Sequence, residues 1–197
     1  MNDGERMSRI IGLSFGDPAG VSAEIVPAAL AGLPVDARVR VYGPAPSVDT
    51  LAGRFPGRVE PVATTPDLDG VTIGRYSPAS GRASMRALDA GVADLASGAV
   101  AALVTGPICK TALADAGLQF PGQTELVAHA FGCSRFAMML AGPRLRVVLA
   151  TTHLALRDVP AAVTGDAVFD AGDLVAAFLQ EHMGIARPRL AVLGLNP

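Results

Sequence analysis

A chain of 197 residues that is half apolar and only 17% charged can bury a sizeable core, as one large domain or two small ones, and is too apolar for disorder. Its net charge of −2, with Lys and Arg scattered, excludes the basic footprint of a nucleic-acid binder, and no apolar run reaches the roughly 18 residues of a membrane span. Two cysteines, Cys109 and Cys133, exclude a disulfide scaffold or a Cys-rich zinc site, and the polar stretch 1–9 lacks the apolar centre of a signal peptide, so a cytoplasmic protein is expected.

Residues 9–15 form a compact apolar run that stops at Gly16-Asp17-Pro18-Ala19-Gly20. Beyond it Glu24, Ile25, Ala28, Ala29 and Leu30 recur at helical spacing, which reads as strand, turn, helix. The glycine-rich turn either borders a phosphate at the helix N-terminus or serves as a plain βα turn. Residues 38–42 read as a second strand and 44–54 as a short helix; 59–62 and 71–73 read as further strands separated by the turn-rich TTPDLDG. From Gly81 the period changes: Met85, Leu88, Val92 and Leu95 make the apolar stripe of a helix that ends near Gly98. Arg82 and Arg86 near its start are either phosphate contacts or solvated side chains.

The stretch 101–157 carries most of the chemistry. A strand at 101–105 opens onto Thr105-Gly106-Pro107, and Lys110 begins a helix through Ala116. A second helix starts beyond Gly122, with Thr124 as its cap or as a ligand group. Residues 136–140 and 145–150 flank the spacer AGPR and are expected to be antiparallel neighbours within a mixed sheet. A long helix is predicted over 164–183, burying Val168, Leu174, Val175, Phe178 and Leu179, and a last strand over 190–195. The alternation predicts an α/β fold, a mixed and mostly parallel sheet flanked by helices, with an N-terminal domain over 1–120 and the start of a second over 121–197.

In such sheets ligands gather outside the carboxyl ends of the strands, where this chain presents Asp17, Lys110, Gln123, Thr124 and His153. Lys110 offers a point charge for a phosphate or carboxylate. Asp17 binds a ligand or stabilises its own turn. Gln123 donates and accepts hydrogen bonds but cannot change charge near neutral pH, which excludes proton transfer there. His153, at the end of an apolar strand, can ligate a divalent metal, although one histidine without a spaced partner is no metal motif by itself. Cys109 beside Lys110 reads as a small filler or a reactive thiol. No GxGxxG follows any predicted strand.

Taken in order, GDPAG (16–20), VTGPICK (104–110), FPGQTE (120–125), MML (138–140) with VVLATTH (147–153), and LGLNP (193–197) resemble the 4-hydroxythreonine-4-phosphate dehydrogenase family of pyridoxal phosphate biosynthesis. The resemblance covers nearly the whole chain and implies a fold similar to isocitrate and isopropylmalate dehydrogenases, incomplete at the C-terminus. It implies NAD- or NADP-dependent oxidation of a phosphorylated small molecule, 4-hydroxy-L-threonine 4-phosphate, with decarboxylation to 3-amino-2-oxopropyl phosphate. Zinc, magnesium or cobalt would serve as the divalent metal, in a homodimer. On this resemblance His153 matches a metal ligand, Gln123 and Thr124 match a substrate-binding pair that is most often His-Thr, and Lys110 and Asp17 stand as catalytic candidates. Two departures stand out: Gln123 replaces the usual His, and Ser22-Ala23 replace a Gly-Pro. The family's further metal ligands and a basic substrate-binding segment follow LGLNP, so the chain as written is expected to lack a complete metal set and to self-associate through uncovered apolar surface. The alternatives are a dehydrogenase of a related phosphorylated acid, 4-phosphothreonate or 4-phosphoerythronate, and a non-catalytic binding module.

Overall fold

The computed structural model describes residues 10–118 and 122–196. The outer residues of the readings above (1–9, 120, 121 and 197) lie outside that range. Two compact units divide the chain between Phe131 and Gly132, later than the expected 120/121. The helix after Gly122 belongs to the first unit because its Leu126 packs into that unit's core.

In the first unit, β1 (Ile11–Ser14), β2 (Val39–Pro44), β3 (Val59–Thr65) and β4 (Ala102–Thr105) form one parallel sheet in the order β3-β2-β1-β4. Parallel strands need crossovers, supplied by α1 (Ser22–Gly32), α2 (Ala45–Arg54) and α3 (Pro78–Ser97). On one face Val39, Val41 and Val59 pack with Phe15 against Val26 and Leu30 of α1 and Val48 and Leu51 of α2. On the other, α3 contributes Leu88 and Val92, joined by Leu103 of β4. The start of α3 is fixed by a capping box, in which Ser77 Oγ accepts from the Ser80 N–H and Ser80 Oγ from the Ser77 N–H, both at 3.2 Å. Two further helices follow β4: α4 (Lys110–Asp115), whose Ala112 and Leu113 are buried, and α5 (Gln123–Ala130).

The expected strand at 71–73 is instead a tight turn. Gly70 and Gly74 bracket it at positive φ, Thr72 makes an isolated bridge to Arg75 in place of a ladder, and the Gly74 N–H donates to the Ala19 carbonyl at 2.8 Å.

In the second unit, β5 (Met139–Ala141) and β6 (Arg146–Val148) pair antiparallel, as expected, but as a separate two-stranded sheet rather than within a larger one. The short helix α6 (Val159–Ala162) precedes α7 (Gly165–Glu181), which is capped by Thr164 Oγ1 accepting from the Ala167 N–H at 3.2 Å. Of the five residues expected to be buried on α7, only Leu179 is. Residues 190–195 form no strand. An apolar run favours burial but becomes a strand only where a neighbour takes its backbone hydrogen bonds, and among the described residues none does; Val192 and Leu193 stand 75% and 89% exposed.

A charged network ties the sheet to α3. Asp94 Oδ2 accepts from Arg40 Nη1 at 2.9 Å and from the Tyr42 hydroxyl at 2.8 Å, while Arg40 Nη2 pairs with Glu60 at 2.8 Å. Burial, then the bond to Asp94, holds the Tyr42 hydroxyl above the usual phenol range, and the bonds from Arg40 and Tyr42 hold the Asp94 carboxyl below its ordinary value. Because the folded pKa of Asp94 lies below its unfolded one, its contribution is present above about pH 4 and is lost as pH falls through the folded pKa. Asp94→Asn should therefore cost about 1–2 kcal/mol at neutral pH and flatten the acid limb of stability, checked by urea denaturation between neutral and acidic pH.

Candidate active site at the strand ends

The site is built where β1 and β4 end side by side. The Gly106 N–H donates to the Ser14 carbonyl at 2.8 Å and to Ser14 Oγ at 3.3 Å, and the Asp17 N–H donates to the Pro107 carbonyl at 2.8 Å. Two glycines permit this approach. Gly16 sits at φ 82° with the Gly106-Pro107 backbone where a side chain would be, and a Cβ on Gly106 would fall 2.6 Å from the Ser14 carbonyl oxygen. Asp17 is 6% exposed, and its Oδ1 accepts from the Ala19 N–H at 2.8 Å, the self-stabilised turn that was one of its two readings. Its second carboxylate oxygen makes no hydrogen bond among the described residues.

Gln123, the first residue of α5, reaches back to the end of β4. Its Nε2 donates to the Gly106 carbonyl at 2.9 Å, and its Oε1 accepts from Thr105 Oγ1 at 3.2 Å. These bonds fix the orientation of the amide and leave one hydrogen and one lone pair available to a ligand. The cap of α5 is Gly122 rather than Thr124, which lies inside the first turn with its hydroxyl unpartnered among the described residues. Lys110 opens α4, exposed and without an ion pair among the described residues, at the helix end where a cation is least favoured. Its ammonium and the Glu125 carboxylate approach the same space above Gly122. Arg82 and Arg86 are exposed on α3.

The first unit thus gathers Asp17, Lys110, Gln123 and Thr124 around the ends of β1 and β4. His153 belongs to the second unit, exposed, with φ at 57°. It is the sole non-glycine residue with positive φ among those described, a conformation that costs free energy and concentrates at functional positions. Among the described residues no three His, Cys, Asp or Glu side chains come together in a way that could hold a metal ion, so His153 has no partner set here. Sequence reasoning placed Thr105 at the strand end but assigned no role to Ser14 or Glu125. Ser14 ends an apolar strand with a hydroxyl and Glu125 follows Gln123-Thr124 directly; both are polar groups beside a named motif, which was the available signal.

A parallel α/β sheet with polar side chains gathered outside the carboxyl ends of its strands is the layout of a small-molecule-binding α/β protein. The comparisons place it further. Residues 29–197 match the family described as pyridoxal phosphate biosynthetic protein PdxA, and the chain belongs to that family. A 4-hydroxythreonine-4-phosphate dehydrogenase from Desulfosudis oleivorans is 39% identical over 208 residues, covering 95% of this chain and 62% of that protein. One from Caulobacter vibrioides is also 39% identical, over 96% of this chain and 63% of its own length. The crystal structure of the Klebsiella pneumoniae enzyme of that name superposes with a TM-score of 0.81 at 29% identity, over 98% of this chain and 64% of that one. The chain therefore spans somewhat under two thirds of the length of the relatives it matches. No helix among the described residues is long and apolar enough to cross a membrane.

Gly106→Ala should cost about 2–3 kcal/mol, because the new methyl group meets rigid backbone of β1 rather than a movable side chain; chemical denaturation checks this against wild type. His153→Gly, by contrast, should leave stability unchanged or raise it by up to ~1 kcal/mol, since glycine adopts positive φ freely. A clear loss of stability in that variant would show that the His153 side chain is held by packing.

Proposed function

We propose that this chain carries the substrate-holding end of a 4-hydroxythreonine-4-phosphate dehydrogenase. In this reading the enzyme is a cytoplasmic homodimer that depends on NAD or NADP and on a divalent metal. It oxidises the C3 secondary alcohol of 4-hydroxy-L-threonine 4-phosphate to a ketone. The resulting β-keto acid loses carbon dioxide, and the electron pair left at C2 takes up a proton to give 3-amino-2-oxopropyl phosphate. The observation that carries the reading is the joining of two motifs: Gln123, in the stretch 120–125, is hydrogen-bonded to Thr105 and Gly106, in the stretch 104–110.

Each residue then has a role set by its chemistry. Lys110 neutralises an anionic group of the substrate. The free hydrogen and lone pair of Gln123, with the Thr124 hydroxyl beside it, orient the reacting carbon by hydrogen bonds that carry no proton transfer. The second carboxylate oxygen of Asp17 accepts a hydrogen bond from a substrate hydroxyl. His153 is the expected metal ligand, but the described residues do not complete a metal site, nor does a glycine-rich dinucleotide turn follow any strand, so no step is assigned to either group.

Gln123 in place of the usual His favours a second reading, oxidation of a related phosphorylated acid such as 4-phosphothreonate or 4-phosphoerythronate. Calorimetric titration with 4-hydroxythreonine 4-phosphate tests the first. Saturable binding is expected, weakened at least ~10-fold in Lys110→Ala by loss of a charge-assisted contact. Binding of the hydroxy acids alone would replace it with the second.

A further inference from the structure

We propose that Gly81 is a positioning residue for Lys110: by leaving room for the backbone of α4 against the start of α3, it holds the Lys110 ammonium where an anionic group of the ligand can meet it. This rests on the reading of Lys110 as the contact to that group. Gly81 is buried in the first turns of α3, and glycine inside a helix is less stable than alanine, a cost offset here by close approach. A Cβ on Gly81 would fall 2.5 Å from the Ala112 carbonyl carbon and 3.0 Å from the Leu113 nitrogen, and nearer still to the Ala112 carbonyl oxygen. All three are backbone atoms, which cannot swing aside as the end of a side chain can. Any side chain at this position must therefore push α4 away from α3.

Little else holds α4. Six residues are too few for a helix that is stable by itself, and its buried side chains are Ala112 and Leu113, at the point where it meets Gly81. Lys110 is exposed and has no ion pair among the described residues, so its place is set by the backbone that carries it. The Leu113 N–H donates to the Cys109 carbonyl at 3.1 Å, which passes a displacement of that turn to the residue before Lys110. The other side of the contact is fixed. Ser77 caps α3 and its hydroxyl donates to the Gly70 carbonyl at 2.8 Å, while the Gly74 N–H donates to the Ala19 carbonyl in the turn that holds Asp17. Gly81 thus seats α4 on a helix start already tied to the Asp17 turn, and the separation of Lys110 from Asp17 follows. Misplacing a charged donor by about 1 Å removes most of its contribution, because charge-assisted hydrogen bonds are short and directional.

The test is a double-variant cycle read by calorimetric titration of the 197-residue chain with 4-hydroxythreonine 4-phosphate. Gly81→Ala should weaken binding about 10-fold, close to the loss in Lys110→Ala, and should add no more than about twofold in the Lys110→Ala background. A glycine that served the fold alone would lower affinity equally in both backgrounds. That result, or unchanged affinity in Gly81→Ala, overturns the positioning role and leaves Lys110 as the anion contact. If circular dichroism shows Gly81→Ala to be unfolded, Leu113→Val takes its place in the cycle, since it keeps Gly81 and loosens the seat of α4 by one methylene. A loss of about threefold confined to the chain that retains Lys110 is then expected, and an equal loss in both backgrounds, or none, overturns the proposal. Unchanged affinity in Lys110→Ala, or no binding to wild type, overturns the reading of Lys110 and the role of Gly81 with it.

Discussion

Backbone meets backbone where β1 and β4 end, and the candidate site depends on that contact. Gly106 donates to Ser14, Asp17 donates to Pro107, and neither approach has room for a Cβ on Gly16 or Gly106. Once the two turns are locked, the Gly106 carbonyl has one direction to present, and Gln123 takes it. The start of α5 is thereby set relative to the end of β4, which brings Thr124 and Glu125 to the side where Lys110 leaves the strand. Residues from three separate stretches of chain thus share one neighbourhood through a few hydrogen bonds, each short enough to define direction as well as distance.

The core reinforces this arrangement through α3. That helix covers one face of the sheet with Leu88 and Val92, receives Leu126 of α5 on the same apolar patch, and is bound to the strands by Asp94 through Arg40 and Tyr42. Displacing α5 would therefore cost apolar burial as well as the Gln123 bonds. The second unit is held differently. Its hairpin and α7 bury little, Arg135 bridges Asp170 and Asp173 at 2.7 and 2.9 Å on an exposed surface, and such pairs add little stability in water. The positive φ of His153 accordingly sits in a lightly packed segment.

Local patterning was legible where it coincided with a physical punctuation mark. The stripe of Met85, Leu88, Val92 and Leu95 on α3, the Gly98 stop, the hairpin around AGPR and the Thr164 start of α7 all combine periodicity with a capping or turn residue. The readings that failed lacked such support. Residues 71–73 are β-branched or apolar but are turned back by a glycine at positive φ on either side, and 190–195 are apolar without a ladder partner among the described residues. Phe178 and Val168 have the spacing of a buried stripe, yet spacing states which face is apolar and not what covers it.

The sequence by itself determined the alternation of strands and helices, the glycine turns after β1 and β4, and the presence of Asp17, Lys110, Gln123 and Thr124 near strand or helix ends, because each follows from periodicity and the conformational range of single residues. Tertiary structure alone decided that Gln123 would hydrogen-bond to Thr105 and Gly106 and that Ser14 would receive Gly106. The reason is distance along the chain. Hydrogen-bond partners 18 and 92 residues apart are chosen by how the sheet is ordered and how closely its turns can approach, and neither quantity is written in any local window of sequence.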